Sequence, residues 1–557
     1  MRTTSLSRRF AVVAAITAGG LVLAACGGDD GGDDDGDGGG AEGGTLVFGA
    51  SADPVILDGS LVSDGESTRP INQMFEGLVR TEEGGTETQP SLAESWEASD
   101  DGLEWTFHLR EDVTFHDGEP FDADAVCFNF ERWYNFTGVL QSPSASYYWS
   151  TVMGGFAANE DPALGESLYV GCEASDENTA VITLSRPSSA FLSAMAMPSF
   201  SIASPKALEE GDADAVSGTG EAPTFEGTFG YENPVGTGPF QFESWERGSR
   251  LTLTRYDDYW GEPAQLDELI FTVIPDGPAR RQALEAGDID GYDLVDPADA
   301  DALESAGFQL LRRPAFNVGY VGFQQDKPPL DNLQIRQAIA HAIDRENVIQ
   351  TNYPEGAEVA TQFMPPQLFG WADDVTTYDY NPDEASRLIA ESGVTDLTLE
   401  FWYPTDVSRP YMPNPQANWE LIKSDLEAVG FTIVPMTAPW SPDYTDTVDT
   451  GGTQMYLLGW TGDFGDPDNF IGTFFQQQTP QFSFDNPEIR TKLDEAEAET
   501  DEEARTELYQ EANRLIMDDL PGVPYVHTEP ALAFREGVSG FEPGPLANET
   551  FTAVSVE

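Results

Sequence analysis

Residues 27–44 consist only of glycine, aspartate, alanine and glutamate. A stretch with no apolar side chain cannot offset the entropy of ordering itself, so no core can include it. It divides the chain into a short N-terminal piece and a long body that folds by its own means. As a glycine-rich coil it would span roughly 25 Å, and more once its carboxylates repel one another. Asp33-Asp34-Asp35-Gly36-Asp37 faintly matches the start of a calcium loop, but the closing glutamate is absent and a solvated spacer is the reading.

The piece ahead of the spacer has the layout of an export signal. Arg2, Arg8 and Arg9 form a basic start, and residues 10–25 are apolar except for Thr17, Gly19 and Gly20. That run is short for a membrane-spanning helix, which needs about 20 residues, and suits the hydrophobic region of a signal peptide. It ends in Leu23-Ala24-Ala25-Cys26, which resembles the lipobox of bacterial lipoproteins. Cleavage before Cys26 and lipidation of its thiol are therefore expected, with 1–25 as signal peptide and 26–44 as tether. The mature chain is then held on the outer face of the cytoplasmic membrane by its lipid alone. Ser7-Arg8-Arg9 hints at twin-arginine export, but Phe10 falls one place early, so both export routes stay open.

The body, 45–557, exceeds the size of one hydrophobic core and predicts two or three lobes. At 40% hydrophobic and 11% aromatic residues overall, the chain can bury a sizeable interior. The body contains no second apolar run of membrane-spanning length. Acidic residues number 98 against 27 basic ones. Removing 1–25 deletes three arginines and no acid, so the net charge moves from −71 to −74. Such a chain repels nucleic acid and anionic headgroups. Acid excess with scarce lysine fits a saline habitat, or a GC-rich genome combined with selection for solubility. With Cys26 lipidated, Cys127 and Cys172 remain, and in an oxidising compartment a pair reads as a disulfide. Without a C-x-x-C and with four histidines, no structural zinc site is expected.

Periodicity predicts a mixture of strands and helices. Strands are expected at 45–50, 103–110, 179–184, 250–256, 269–274, 316–323, 397–403, 431–436 and 454–460. Helices are expected at 71–80, from Asp122, and at 278–286, 333–349, 416–429, 487–499 and 502–519, and 211–234 reads as a surface loop. The class is α/β. No short-period repeat is present.

Catalytic signatures are lacking: there is no G-x-S-x-G, no H-E-x-x-H and no P-loop. Gly236-Thr237-Gly238 is followed by Pro239, which has no N–H for a phosphate. Asp463-Phe464-Gly465 matches the kinase triplet without its companions, and His116-Asp117 reads as structural. The chain is read as a binder rather than an enzyme, with no cofactor and no metal.

The segment PSLAESWEASDDGLEWTFHLREDVTFHDGEPFDADAV (90–126) resembles the peptide/nickel-type, family 5, extracellular solute-binding proteins of ABC importers. NPVGTGPFQFESW (233–245), YDDYWG (256–261) and KPPLDNLQIRQAIAHAIDRENVI (327–349) extend the likeness over nearly the whole mature chain. SRPYMPNP (408–415) and GWTGDFGDPDNF (459–470) bring it nearest to dipeptide-binding proteins.

A zwitterionic peptide needs a partner for each terminus, because burying either charge alone costs several kcal/mol. The resemblance places Arg409 against the peptide carboxylate, where a guanidinium makes two parallel bonds, and Asp463 against the ammonium. On residue type alone Arg409 reads as a surface or intramolecular salt bridge and Asp463 as a turn former before Gly465. The matched motifs turn both towards ligand contact. Tyr411 and Trp460 resemble pocket-lining aromatics, with core packing as the alternative, and Gly459 and Gly462 would let ligand and backbone approach closely.

The implied architecture is a two-lobed periplasmic-binding-protein-like fold (type II, cluster C) with an extra subdomain in the N-lobe. The N-lobe would comprise 45–314 and 528–557, with the subdomain at about 81–200, and the C-lobe 315–527. Hinges would lie near 315–317 and 525–528. The implied function is capture of dipeptides or short peptides by a monomer that delivers them to permease subunits of an ABC transporter. A metal chelate, glutathione or another amphoteric nutrient is the alternative cargo. The Cys127–Cys172 pair does not sit where the Gram-negative dipeptide binders would have their disulfides, so compartment and count alone support it.

Overall fold

The computed structural model describes residues 43–557 apart from residue 478. The signal segment, Cys26 and nearly all of the tether lie outside the described residues. The described residues include the last two of the expected tether. Gly43 donates its N–H to the Gln265 carbonyl at 3.1 Å, and the Gly44 N–H reaches the Asp267 carboxylate at 3.2 Å.

Two large sheets organise the body. The first has seven strands in the order Phe240–Glu246, Arg250–Arg255, Glu268–Val273, Thr45–Ala50, Gly291–Tyr292, Ala531–Phe534 and Gln309–Arg312. The second has five, in the order Thr432–Pro439, Thr398–Thr405, Met455–Thr461, Asn317–Phe323 and Gly522–Val526. Helices cover both, and the class is α/β as expected. A four-stranded sheet, Ala93–Ala98, Glu104–Leu109, Thr179–Leu184 and Tyr169–Asp176, stands beside the first. The helix Ala123–Tyr134 packs on it, and Cys127 on that helix is disulfide-bonded to Cys172 on the adjoining strand, with Cα atoms 5.2 Å apart.

Buried side chains segregate with the sheets. One core runs through the first sheet and the four-stranded sheet without interruption, from Leu46 and Phe48 to Phe107, Phe130 and Trp133. A second core is built entirely from residues between Phe316 and Val526. One buried residue from the stretch that builds the second core breaks the rule: Phe464, in the loop after Met455–Thr461, is buried in the first core.

The chain passes between the sheets twice, after Arg312 and after Val526. Asn317, almost fully buried, locks the two passages together. Its amide donates to the Thr528 carbonyl at 2.9 Å and accepts from the Thr528 N–H and hydroxyl, each at 3.0 Å. His527 Nδ1 donates to the Asn317 carbonyl at 2.6 Å. The strand Asn317–Phe323 is buried at every position, sandwiched edge to edge between Met455–Thr461 and Gly522–Val526. Gly322 lies against the Tyr456 ring, where a β-carbon would have no room.

Three expected elements differ. The helix expected at 71–80 is Gly65–Met74, started by Asp64, whose carboxylate accepts the Ser67 N–H at 2.9 Å. It stops because the next turn serves tertiary contacts: the buried Glu76 carboxylate accepts from Thr237, Tyr259 and Trp260, each at 2.8 Å. The expected loop 211–234 contains a hairpin, Val216–Thr219 with Ala222–Phe225, turning at Gly220-Glu221, and a short helix, Phe229–Glu232. The helix expected at 333–349 is two helices, Leu333–Ala342 and Arg345–Asn352. Asp344 caps the second by accepting the Asn347 N–H at 3.0 Å, a local bond that competes with continuing the first.

Candidate functional site

Two segments flank the paired strands Asn317–Phe323 and Met455–Thr461. The first follows Thr461, which lies opposite Asn317 in the register. Gly462 donates to the Phe316 carbonyl at 3.0 Å and sits between the Phe316 and Phe470 rings, so a side chain there would collide with both. Asp463 comes next. Its N–H donates to Asn469 Oδ1 at 2.7 Å, and Asn469 Nδ2 approaches its carboxylate at 3.4 Å. The other carboxylate oxygen accepts from the Tyr148 hydroxyl at 2.7 Å. Tyr148 lies on the helix Pro143–Met153, beside the four-stranded sheet, so this bond ties the second sheet's loop to the first core.

The loop is fastened further along. Phe464 enters the first core, and at Gly465 a β-carbon would strike the Thr86 carbonyl. Asp466 pairs with Arg505 at 2.7 Å, both groups being almost fully buried. None of the ion pairs among the described residues involves Asp463. Desolvation pushes its carboxyl up to about 6, against the lowering effect of the Tyr148 and Asn469 hydrogen bonds.

The second segment joins Thr405 to Pro415. Arg409 and Met412 bond to each other through their backbones at 2.9 and 3.2 Å, making a tight loop. The Arg409 side chain is exposed and lies over the Trp440 ring, 4.6 Å from its centroid. It takes part in none of the ion pairs among the described residues. Pro410 offers its carbonyl to the Thr528 hydroxyl at 2.9 Å, which anchors the loop to the passage between sheets.

The remaining expected contacts have definite places. The Tyr411 ring is buried against Gly459, its carbonyl accepts from the Tyr353 hydroxyl at 2.9 Å, and burial pushes its own hydroxyl up to about 12. Gly459 thus admits Tyr411 closely. Trp460 donates to Asn469 Oδ1 at 3.3 Å and meets Phe474 edge-on at 5.8 Å. A cavity of about 310 Å³ lies against the Arg409 loop and extends to Tyr292, Leu294 and Arg312. Arg409 lines it, whereas Asp463, Tyr411 and Trp460 do not. Tyr148, Asn469 and Arg312 went unread in the sequence. The run Tyr147-Tyr148-Trp149 behind Ser142-Pro143 was the one local hint of a helix bearing aromatics there.

The family model for "Bacterial extracellular solute-binding proteins, family 5 Middle" matches residues 87–482. The chain is a family 5 bacterial extracellular solute-binding protein. Among relatives of this family 5 protein, the dipeptide-binding protein of Escherichia coli K12 is 32% identical over 92% of this chain and 95% of its own length. Heme-binding protein A of Haemophilus influenzae is 31% identical over 97% of this chain and 98% of its own. Among solved structures, the periplasmic binding protein DppA of Helicobacter pylori in complex with peptide STSA superposes with a TM-score of 0.74. It is 27% identical and is covered over 98% of its length by 92% of this chain. Family 5 proteins bind substrates for ABC transporters rather than transform them, and among the described residues no helix is long and apolar enough to cross a membrane.

Proposed function

We propose that this family 5 protein captures free dipeptides or short peptides outside the cytoplasmic membrane and hands them to the permease of an ABC transporter. The two sheets with their cores act as lobes, N-lobe and C-lobe, that close over the ligand about the passages at 313–316 and 527–530. Arg409 takes the peptide carboxylate and Asp463 the ammonium. Trp460 and the glycines at 459 and 462 shape the space between them. A lipid on Cys26 and the acidic spacer keep the trap near its transporter.

One observation carries the reading. A carboxylate enclosed without a cation and a guanidinium without an anion sit on two loops flanking the same strand pair, joined through Pro410, Thr528 and Asn317. Opposite charges left unpaired in this way are completed by a zwitterion. The test is calorimetry of the purified full chain with Ala-Ala, its N-acetylated form and its C-terminal amide. Free Ala-Ala should bind, and each cap should remove most of the affinity. Equal binding of capped and free peptides would discard both assignments. Because a relative of 31% identity over 97% of the chain is named as heme-binding, haem belongs in the same titration, and saturable binding of haem in place of peptides would favour that second cargo.

A further inference from the structure

The cavity beside Arg409 carries more positive charge than a single peptide carboxylate requires. Three arginines line it: Arg280, Arg312 and Arg409. In a chain with 98 acidic and 27 basic residues, cations are scarce, and neighbouring arginines are taken up by carboxylates. Arg281 pairs with Glu285 and Asp299, and Arg313 with Asp293 and Glu549. None of the ion pairs among the described residues involves Arg280, Arg312 or Arg409.

Arg280 is 7% exposed, on the helix Gly277–Ala286. Its Nη1 donates to the Ile274 and Pro275 carbonyls at 2.8 and 3.0 Å, and its buried Nε has no hydrogen-bond partner. Arg312 ends the strand Gln309–Arg312, half-buried, with one bond to the Glu355 carbonyl at 3.2 Å. Two carboxylates share the wall: Asp299 is paired with Arg281, and Asp296 keeps its charge while accepting the Ala298 N–H at 2.9 Å, so the three arginines still outnumber the one carboxylate without a cation. Much of the rest is proline, including Pro275, Pro278, Pro410, Pro413 and Pro530, which have no N–H to offer. The Thr528 hydroxyl is already bonded. The strongest donors facing this space are therefore guanidinium groups, which suit a planar anion.

We propose that this cavity is an anion subsite for a second carboxylate of the ligand, lying beyond the one held at Arg409. The proposal rests on the reading that Arg409 faces the C-terminal end of a peptide. The second carboxylate belongs to an acidic side chain on the C-terminal residue of the peptide. It presents a planar anion to Arg312 and Arg280.

Calorimetry of the full chain tests this. Ala-Glu should bind about tenfold or more tightly than its neutral isostere Ala-Gln, and in Arg312→Gln that ratio should fall towards one. The proposal is overturned if Ala-Glu binds no more tightly than Ala-Gln, or if the preference survives in both Arg312→Gln and Arg280→Gln. N-acetyl-Ala-Glu tests the underlying reading separately: indifference to the cap with the acid preference intact discards the clamp at Asp463 and leaves the subsite standing.

Discussion

The two loops hold opposite charges in opposite ways. The 462–469 loop is fastened at nearly every residue: Gly462 to Phe316, Asp463 to Tyr148 and Asn469, Phe464 in the first core, Asp466 to Arg505. The 406–413 loop is held through its backbone, while the Arg409 side chain rests on Trp440 in contact with water. Asp463 is thus preorganised at the cost of desolvation, and its raised affinity for a proton expresses that cost. Arg409 keeps its hydration and must be ordered when a ligand arrives. An ammonium meeting Asp463 recovers an electrostatic debt, whereas a carboxylate meeting Arg409 gains a bond and loses side-chain entropy.

The largest effect expected from this contrast is on affinity. Arg409→Ala and Asp463→Asn should each weaken Ala-Ala binding by about 3–5 kcal/mol, the scale for removing one member of a charge pair desolvated on closure. Calorimetry showing a loss under ~1 kcal/mol for either would remove that residue from the site. The two variants should part company in the empty protein. Burial raises the Asp463 carboxyl from 3.8 to about 6, so its charged form opposes folding above that range. Asp463→Asn should therefore raise stability at pH 7 by about 2 kcal/mol, and Arg409→Ala should leave the melting temperature nearly unmoved. A lower melting temperature for Asp463→Asn would contradict the desolvation account.

Next in size is the pH dependence. Stability contributed through Asp463 falls as pH rises from 3.8 to about 6 and is level above. Ligand affinity runs the other way, because an ammonium selects the ionised carboxylate. Affinity for Ala-Ala should fall as pH drops below about 6, by at most about 1.4 kcal/mol per pH unit. A flat titration between pH 4 and 7 would argue against an ammonium at Asp463. Tyr148→Phe removes a hydrogen bond that lowers the Asp463 pKa, so the affinity midpoint should move to higher pH, with a loss of about 1 kcal/mol at pH 6. The smallest expected change comes from Trp440→Leu. Loss of the cation–π contact should alter peptide affinity by about 0.5–1 kcal/mol, and no change would show that Trp440 does not position Arg409.

Local order was readable wherever a strong pattern coincided with local capping. Strands such as Thr179–Leu184 and helices such as Glu502–Asp519 follow their periodicity. The two misread helices share a cause, in that a short polar contact outweighed the repeat. Asp344 interrupts an apolar helical stripe, and Glu76 draws the chain out of a helix into three tertiary bonds. The hairpin within 211–234 has few apolar residues to announce it.

Composition and motif settled, from the sequence alone, the α/β class, the absence of catalytic signatures and the family, because these depend on residue type, spacing and likeness along the chain. They also brought Arg409 and Asp463 forward as a pair. Tertiary structure alone decided what surrounds each charge. Tyr148 reaches Asp463 from 315 positions away in sequence, and Arg280 and Arg312 converge on the cavity that Arg409 lines from a helix and a strand end. Electrostatic environment is set by burial and by neighbours in space, and neither leaves a periodic trace in the chain that builds it.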